Sequence, residues 1–425
     1  MTTTKNNEHK KLNFSSEREQ SQVCLNSAEH EKNQGRKVLN VPNLRFPEFQ
    51  GEWEECTLED VINFSTTRVN SSELNKDNYV STENMLQDYQ GIVKAKSVPE
   101  DVNVVSFSCG DILISNIRPY LKKVWKATFN GGCSSDVFVL KANDNIESDY
   151  LHYVIANDKF INFVMSGAKG VKMPRGDKKQ METYSLSLPQ IQEQHKIARL
   201  LSLLDERIAT QNKIIEDLKK LKCAIIEKVL NNSSCDKLRL GDVGSYIRGL
   251  TYSSNDVVEC NGTLVMRSNN IVNGSSLDYT NNVVPVNKQI SQEQQLQDGD
   301  IIICMANGSS ALVGKSSFYD GKCSLPITVG AFCGIYRSKM PITKWLFQTN
   351  RYRIYIWNSL QGGNGAIANL NSEDILRMSF PLPEKQTVEH CTKLLSSLES
   401  LIESNVSLCS MFSQQKEYLL RQMFI

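Results

Sequence analysis

Gly308-Ser-Ser-Ala-Leu-Val-Gly-Lys-Ser316 comes nearest to a phosphate-binding loop, since it follows the strand-like Ile301-Ile-Ile-Cys304. Such a loop needs four residues between its glycines, so that successive backbone amides close around phosphates. Five intervene here, and a turn between strands accounts for the glycines. Gly362-Gly-Asn-Gly365 has no strong strand before it and no suitably placed acid, so it is no dinucleotide fingerprint. An enzyme that methylates a base amino group would show Asn-Pro-Pro-aromatic, and Asn116-Ile-Arg-Pro-Tyr120 lacks the adjacent prolines. Glu216-Asp217-Leu-Lys219 supplies acids, but on a helical pattern where acids and lysines form a solvated face. His195 and His390 have no Ser or Cys at a fixed spacing and read as structural. Five histidines without HxH or HExxH grouping, and twelve cysteines never at CxxC spacing, imply no metal site. The cysteines read as small buried hydrophobes.

What remains is chemistry of recognition. One cluster comprises Arg118, Tyr120, Lys122, Lys123 and Lys126, followed by Lys169, Lys172, Arg175, Lys178 and Lys179. Another comprises Arg248, Arg267, Asn269, Asn270, Asn307, Lys315, Arg351 and Arg353, with Asn364 in the amide-rich stretch 361–371. Arg, Lys, Asn and Gln contact phosphates and read base edges. The net charge is only +1, and residues 57–188 carry 15 basic against 16 acidic side chains, residues 237–381 13 against 10. By composition alone these clusters describe solvated surface more readily than a DNA contact, because binding by bulk electrostatics would need a basic domain.

The elements that position these residues occur twice. Leu58-Glu-Asp-Val61 returns as Leu240-Gly-Asp-Val243, Gly110-Asp-Ile-Leu-Ile114 as Gly299-Asp-Ile-Ile-Ile303, and Leu188-Pro189 as Leu382-Pro383. Landmarks in one order with slowly growing offsets mean a tandem duplication of a domain followed by a long helix. The spacing predicts a disordered polar tail over 1–40, domains over 41–188 and 236–381, and helices over 189–231 and 382–425. Strand signals at 112–114, 137–140, 301–303 and 332–336, with helical stretches at 149–165 (capped by Ser148) and 343–358, predict mixed α+β domains.

The helices carry the clearest periodicity. Apolar spacing alternates four and three through Ile197, Leu201, Leu204, Ile208, Gln211, Ile215, Leu218, Lys222, Ile225 and Val229, a coiled-coil seam. Adding 194 gives Cys391, Leu395, Leu398, Ile402, Asn405, Cys409, Phe412, Lys416, Leu419 and Met423, with polar breaks at matching places. Two tandem copies sharing one interface imply a pseudo-two-fold, hence an antiparallel pair in which equivalent residues meet only at the centre. Gln211 and Asn405 fall at the two midpoints, so each amide is expected to satisfy the other.

Val41-Pro-Asn-Leu-Arg-Phe-Pro-Glu-Phe-Gln-Gly-Glu-Trp53, Gly110-Asp-Ile-Leu-Ile114 with Arg118-Pro119, and Leu188-Pro-Gln-Ile-Gln-Glu-Gln194 with Leu204-Asp-Glu-Arg-Ile208 resemble the specificity subunit of type I restriction-modification enzymes. The second copy departs, reading Leu382-Pro-Glu-Lys-Gln-Thr-Val388. The resemblance implies two target-recognition domains, each reading half of a split double-stranded DNA site. It implies long helices that space the domains and dock two methyltransferase subunits, with restriction and motor subunits in the full complex. The chain itself would be non-catalytic within a restriction endonuclease and DNA adenine methyltransferase, and S-adenosylmethionine, ATP and Mg²⁺ would belong to its partners. A stand-alone DNA methyltransferase and a coiled-coil scaffold without DNA binding are the alternative classes. With no apolar run of membrane length and no secretory h-region, the chain is expected in the cytoplasm.

Overall fold

The computed structural model describes residues 39–170, 172–231, 236–360 and 368–425. The expected tail up to residue 38, the Gly362–Gly365 stretch and Asn364 lie outside them. Two compact units form, one of Met1–Glu206 with Ser413–Ile425, the other Arg207–Phe412.

Each unit is built round one antiparallel sheet of matching order. In the first, Ile62–Phe64, Val137–Ala142, Ile112–Ser115 and Val124–Lys126 are neighbours in that order. In the second, the order is Gly244–Arg248, Cys333–Ser338, Ile301–Cys304 and Ser316–Phe318. The apolar runs noted in the sequence are the inner strands, and successive side chains serve opposite faces. Ile112 and Ile114 enter one core cluster and Leu113 another, just as Ile301 and Ile303 part from Ile302 and Cys304. A two-stranded ribbon closes each domain, Glu54–Thr57 with Ser185–Leu188 and Asp236–Arg239 with Ser379–Leu382. A smaller sheet beside each carries one parallel pair, Tyr79–Val80 with Gly131–Cys133 and Thr263–Met266 with Ile327–Val329.

The two long helices are Ile191–Leu230 and Lys385–Met423. Ile197, Ala198 and Leu201 of the first, with Leu419, Met423 and Phe424 near the end of the chain, complete the first unit's core. Ile226, Leu230, Cys391 and Leu395 do the same for the second. The Glu193-Gln194 motif at the first helix start is an anchor. Buried Glu193 accepts from Arg45 Nε at 2.8 Å, and Gln194 Nε2 donates to Pro189 O and Asn145 O while its Oε1 accepts from Glu147 N.

Within the second unit, Gln211 Nε2 donates to Asn405 Oδ1, while Lys222 lies against Glu399. Partners fall in number as residues rise, so the helices are antiparallel. Of the seam residues, Leu201, Gln211, Ile215, Leu395, Leu398 and Ile402 are buried, and Leu204, Ile208, Leu218, Asn405 and Phe412 are half-buried.

The lysine breaks in the seam have a partner that the sequence reading missed. Lys222 Nζ donates to Gly274 O at 2.8 Å and sits 3.4 Å from Glu399 Oε1, which also accepts from Trp345 Nε1 at 2.9 Å. Lys344 Nζ holds the other oxygen of Glu399 at 2.6 Å. Burial pushes the Lys222 ammonium below its usual value, against the pull of Glu399. The first unit repeats the arrangement: Lys416 Nζ contacts Asp205 Oδ1 at 2.6 Å, and Tyr153 Oη donates to Asp205 Oδ2 at 2.8 Å.

Four expectations need correction. The 149–165 stretch is two helices, Ser148–Ile155 and Asp158–Ser166, because the Asn157 side chain caps the second by accepting from Lys159 N at 3.0 Å. Glu147, rather than Ser148, caps the first, accepting from Tyr150 N, while Ser148 Oγ donates to Gly110 O. The 343–358 stretch likewise breaks at Thr349, whose hydroxyl donates to Leu346 O and accepts from Tyr352 N, giving Thr343–Leu346 and Asn350–Leu360. Cys133, Cys304, Cys333 and Cys391 are buried as expected, but Cys109, Cys223 and Cys260 are exposed, as are His195 and His390.

Candidate nucleic-acid interface

In the second unit, four strands end around one recess of about 550 Å³. Arg267 and Ser268 follow Thr263–Met266, Asn307 ends Ala306–Asn307, Phe332 lies in the turn after Ile327–Val329, and Leu250 and Tyr252 follow Gly244–Arg248. The rim is held by main-chain bonds: Gly330 N to Met266 O at 2.8 Å, Cys333 N to Gly330 O at 2.8 Å, and Met305 N to Phe332 O at 2.9 Å. Leu250 N donates to Val329 O at 2.7 Å, and an added Cβ on Gly249 would meet Gly330 O at 2.2 Å. Only glycine permits this approach. Phe332 therefore stands 67% exposed on a fixed backbone.

Among the described residues, Arg267 gives one guanidinium bond, to Asn282 O at 3.3 Å, which leaves further donors of that exposed group without a partner there. Asn307 donates to Ser268 Oγ at 3.3 Å and accepts from Ser309 N. Asn270 is different. It is 1% exposed, its Oδ1 accepts from Arg267 N, and its Nδ2 donates to Asp278 O and Asn281 O, so it shapes the turn and offers nothing to a base. Arg248, Asn269, Lys315, Arg351 and Arg353 do not line the recess. Arg351 reaches Asn231 Oδ1 at 3.5 Å, and exposed Arg353 projects from Asn350–Leu360.

The first unit repeats three of these main-chain bonds. Ser134 N donates to Val80 O at 2.9 Å, Val137 N to Ser134 O at 3.0 Å, and Asn116 N to Asp136 O at 2.9 Å. Asn84 takes the place of Asn270, accepting from Ser81 N and donating to Tyr79 O and Val93 O. The correspondence sets Ser81 against Arg267, Arg118 against Asn307, and Asp136 against Phe332. The side chains differ at all three.

Acids partner much of the first unit's basic cluster. Lys122 pairs with Asp158 at 2.7 Å, Lys169 with Asp177 at 2.7 Å and Arg175 with Asp136 at 3.3 Å, while Lys123 Nζ donates to Thr82 O. Exposed Arg118, Tyr120 and Lys172 have no side-chain hydrogen bond or ion pair among the described residues. Arg118 and Lys122 flank the turn Pro119–Leu121 with φ of +50° and +53°. That conformation is unusual for side chains with a Cβ. Among the described residues, no group of His, Cys, Asp and Glu could hold a metal ion, and no helix is long and apolar enough to cross a membrane.

Residues 50–220 match the family described as Type I restriction modification DNA specificity domain. The type I restriction enzyme MjaVIII specificity subunit of Methanocaldococcus jannaschii is 26% identical over 303 residues, spanning 64% of this chain and 68% of the relative. A further chain of that organism, assigned to the same subunit class, is 25% identical over 406 residues, spanning 86% of this chain and 91% of its own. The chain is similar to type I restriction-modification specificity subunits, through the domain at residues 50–220 and through these two relatives. The crystal structure of the S subunit from M. genitalium shares the fold, with a TM-score of 0.58 at 15% identity, over 91% of this chain and 99% of that one.

Specificity subunits recognise DNA sequence, and two frames bearing different polar and aromatic side chains suit that role. Of the residues at the two frames, residue type had singled out Arg267, Asn307 and Arg118 as candidates. It passed over Phe332, Tyr252 and Asp136. The available signal was Phe332 itself, an aromatic in the Gly330-Ala-Phe332 turn between two apolar strands.

Proposed function

We propose that the chain is the DNA-recognition subunit of a type I restriction-modification complex that reads a bipartite site, one half per domain. The observation that carries this is the duplicated frame, alike in backbone bonding and unlike at each projecting position, as reading two different half-sites requires. In this reading, double-stranded DNA lies against the Arg267, Asn307 and Phe332 rim in one domain and the Arg118 and Tyr120 rim in the other. Base edges are told apart by such side chains, while lysines and arginines around them take phosphates. The near-neutral charge fits a subunit whose partners supply much of the phosphate contact.

The long helices space the half-sites and dock two methyltransferase subunits, and restriction and motor subunits join them. S-adenosylmethionine, ATP and Mg²⁺ serve those partners. Support for docking comes from Leu394, Leu401 and Leu408, exposed one heptad apart on the second helix, and Ile214 and Leu221 on the first. A helix of 40 residues is about 60 Å long at about 1.5 Å per residue, comparable to about 18 base pairs.

The test is a genome-wide map of methylated adenine with and without this gene, its partner genes present. A split motif that vanishes on deletion is expected, and an unchanged methylome refutes the reading. A heptad-scale insertion after Leu230 should lengthen the unspecified spacer while keeping both halves. An unchanged spacer would sink the ruler.

A further inference from the structure

The duplicated frame allows the two domains to be compared atom by atom, and one position stands out. Asp136 O accepts from Asn116 N where Phe332 O accepts from Met305 N, and the next turn bond, Val137 to Ser134 or Cys333 to Gly330, is also shared. The backbone delivers both residues to the same place at the strand ends. One is an exposed phenyl ring beside a recess lined by Leu250, Tyr252 and Ala306. The other is a carboxylate 3.3 Å from Arg175.

An exposed aromatic ring on solvated surface is normally free to move, and its exposure to water is unfavourable. Phe332 is neither loosely held nor covered. Its carbonyl accepts from both Met305 N and Ala306 N, and the Gly249 contact locks the turn from below. Beside it, Arg267 and Asn307 present groups suited to guanine and adenine edges. A phenyl ring has no hydrogen bond to offer a base, but the C5 methyl of thymine is apolar and faces the major groove.

Resting on the functional reading above, we propose that the position shared by Phe332 and Asp136 selects one base pair in each half-site. Phe332 does so by packing against a thymine methyl. Asp136, paired with Arg175, does so through polar edges: the carboxylate accepts from a cytosine amino group and the guanidinium donates to the guanine opposite. The same backbone thus reads unlike bases by exchanging a hydrophobe for an ion pair.

The experiment uses the full chain in complex with its methyltransferase subunits. Methylomes are mapped for the unaltered complex, Phe332→Ala and Asp136→Ala. Phe332→Ala should leave one half of the motif intact and make the other degenerate at a single thymine, with discrimination there falling roughly tenfold, the scale of one lost base contact. Asp136→Ala should relax the opposite half only. On synthetic duplexes, replacing that thymine by deoxyuracil should weaken methylation by the unaltered complex and leave Phe332→Ala unaffected. A motif unchanged in Phe332→Ala overturns the inference, as does uniform loss at all sites from a variant that still assembles. An unaltered complex that directs no split motif overturns the functional reading instead.

Discussion

Replacing Glu399 by leucine should be among the costliest single changes in the second unit, and the reason lies in what it strands. Glu399 is 7% exposed and joins Lys222, Trp345 and Lys344. Without it, the ammonium of Lys222, also 7% exposed, keeps only Gly274 O, and the Trp345 indole loses its acceptor. Removing one partner of a buried pair costs about 3–5 kcal/mol, chiefly through the charge left behind. Lys222→Met should cost only about 1 kcal/mol, since Glu399 keeps Lys344 and the indole and a desolvated ammonium disappears. The double variant should fall well short of the sum, with a coupling of about 1–3 kcal/mol, as contacting residues give. Urea unfolding of the full chain would measure this, with hydrogen exchange assigning the transition to residues 207–412. Lys222→Met costing more than Glu399→Leu, or strict additivity, would refute the argument.

Three further outcomes are expected. Replacing both Gln211 and Asn405 by leucine should hold or raise the urea midpoint, whereas Gln211→Leu alone should cost about 1–3 kcal/mol by orphaning a half-buried amide. The pKa of His152 is pushed down to about 4 by burial and then by Lys416, and its Nδ1 is sealed without a partner among the described residues. The unfolded chain then takes up this proton first as pH falls, so stability drops between about pH 6.5 and 4, by about 2 kcal/mol from pH 8 to 5. His152→Leu should flatten that slope in a pH series of melts, and an undiminished slope would exclude this residue. Gly249→Ala should destabilise by about 1–3 kcal/mol and loosen only the second half of the methylation motif, because its Cβ displaces the turn carrying Phe332.

The seam was legible because burial on one helix face imposes a period that survives any exchange of apolar residues. The tandem duplication gave the antiparallel sense, and Gln211 and Asn405, at the two midpoints, gave the register. Asp205 and Glu399 escaped notice because each stands beside a seam position and reads as one more surface acid until its lysine is seen. The recess was illegible for another reason. Its rim draws on 250–254, 267–268, 306–308 and 330–333, segments joined only by sheet pairing, so no spacing marks it. Asn270 shows the limit of residue type: an amide that could read adenine instead closes a turn.

The first unit is discontinuous, and that fixes an order of assembly during synthesis. Residues 207–412 emerge as one uninterrupted length and can close their core as soon as they clear the ribosome. The earlier-made domain must wait. Its Tyr150 ring stacks on Phe424, with centroids 5.2 Å apart, and Leu419 and Met423 fill the groove beside Ile197 and Leu201. Until those last residues are translated, that apolar surface stands open to chaperones and to proteases. A premature stop or a nick beyond residue 412 would therefore injure the half of the protein made first and spare the half made last.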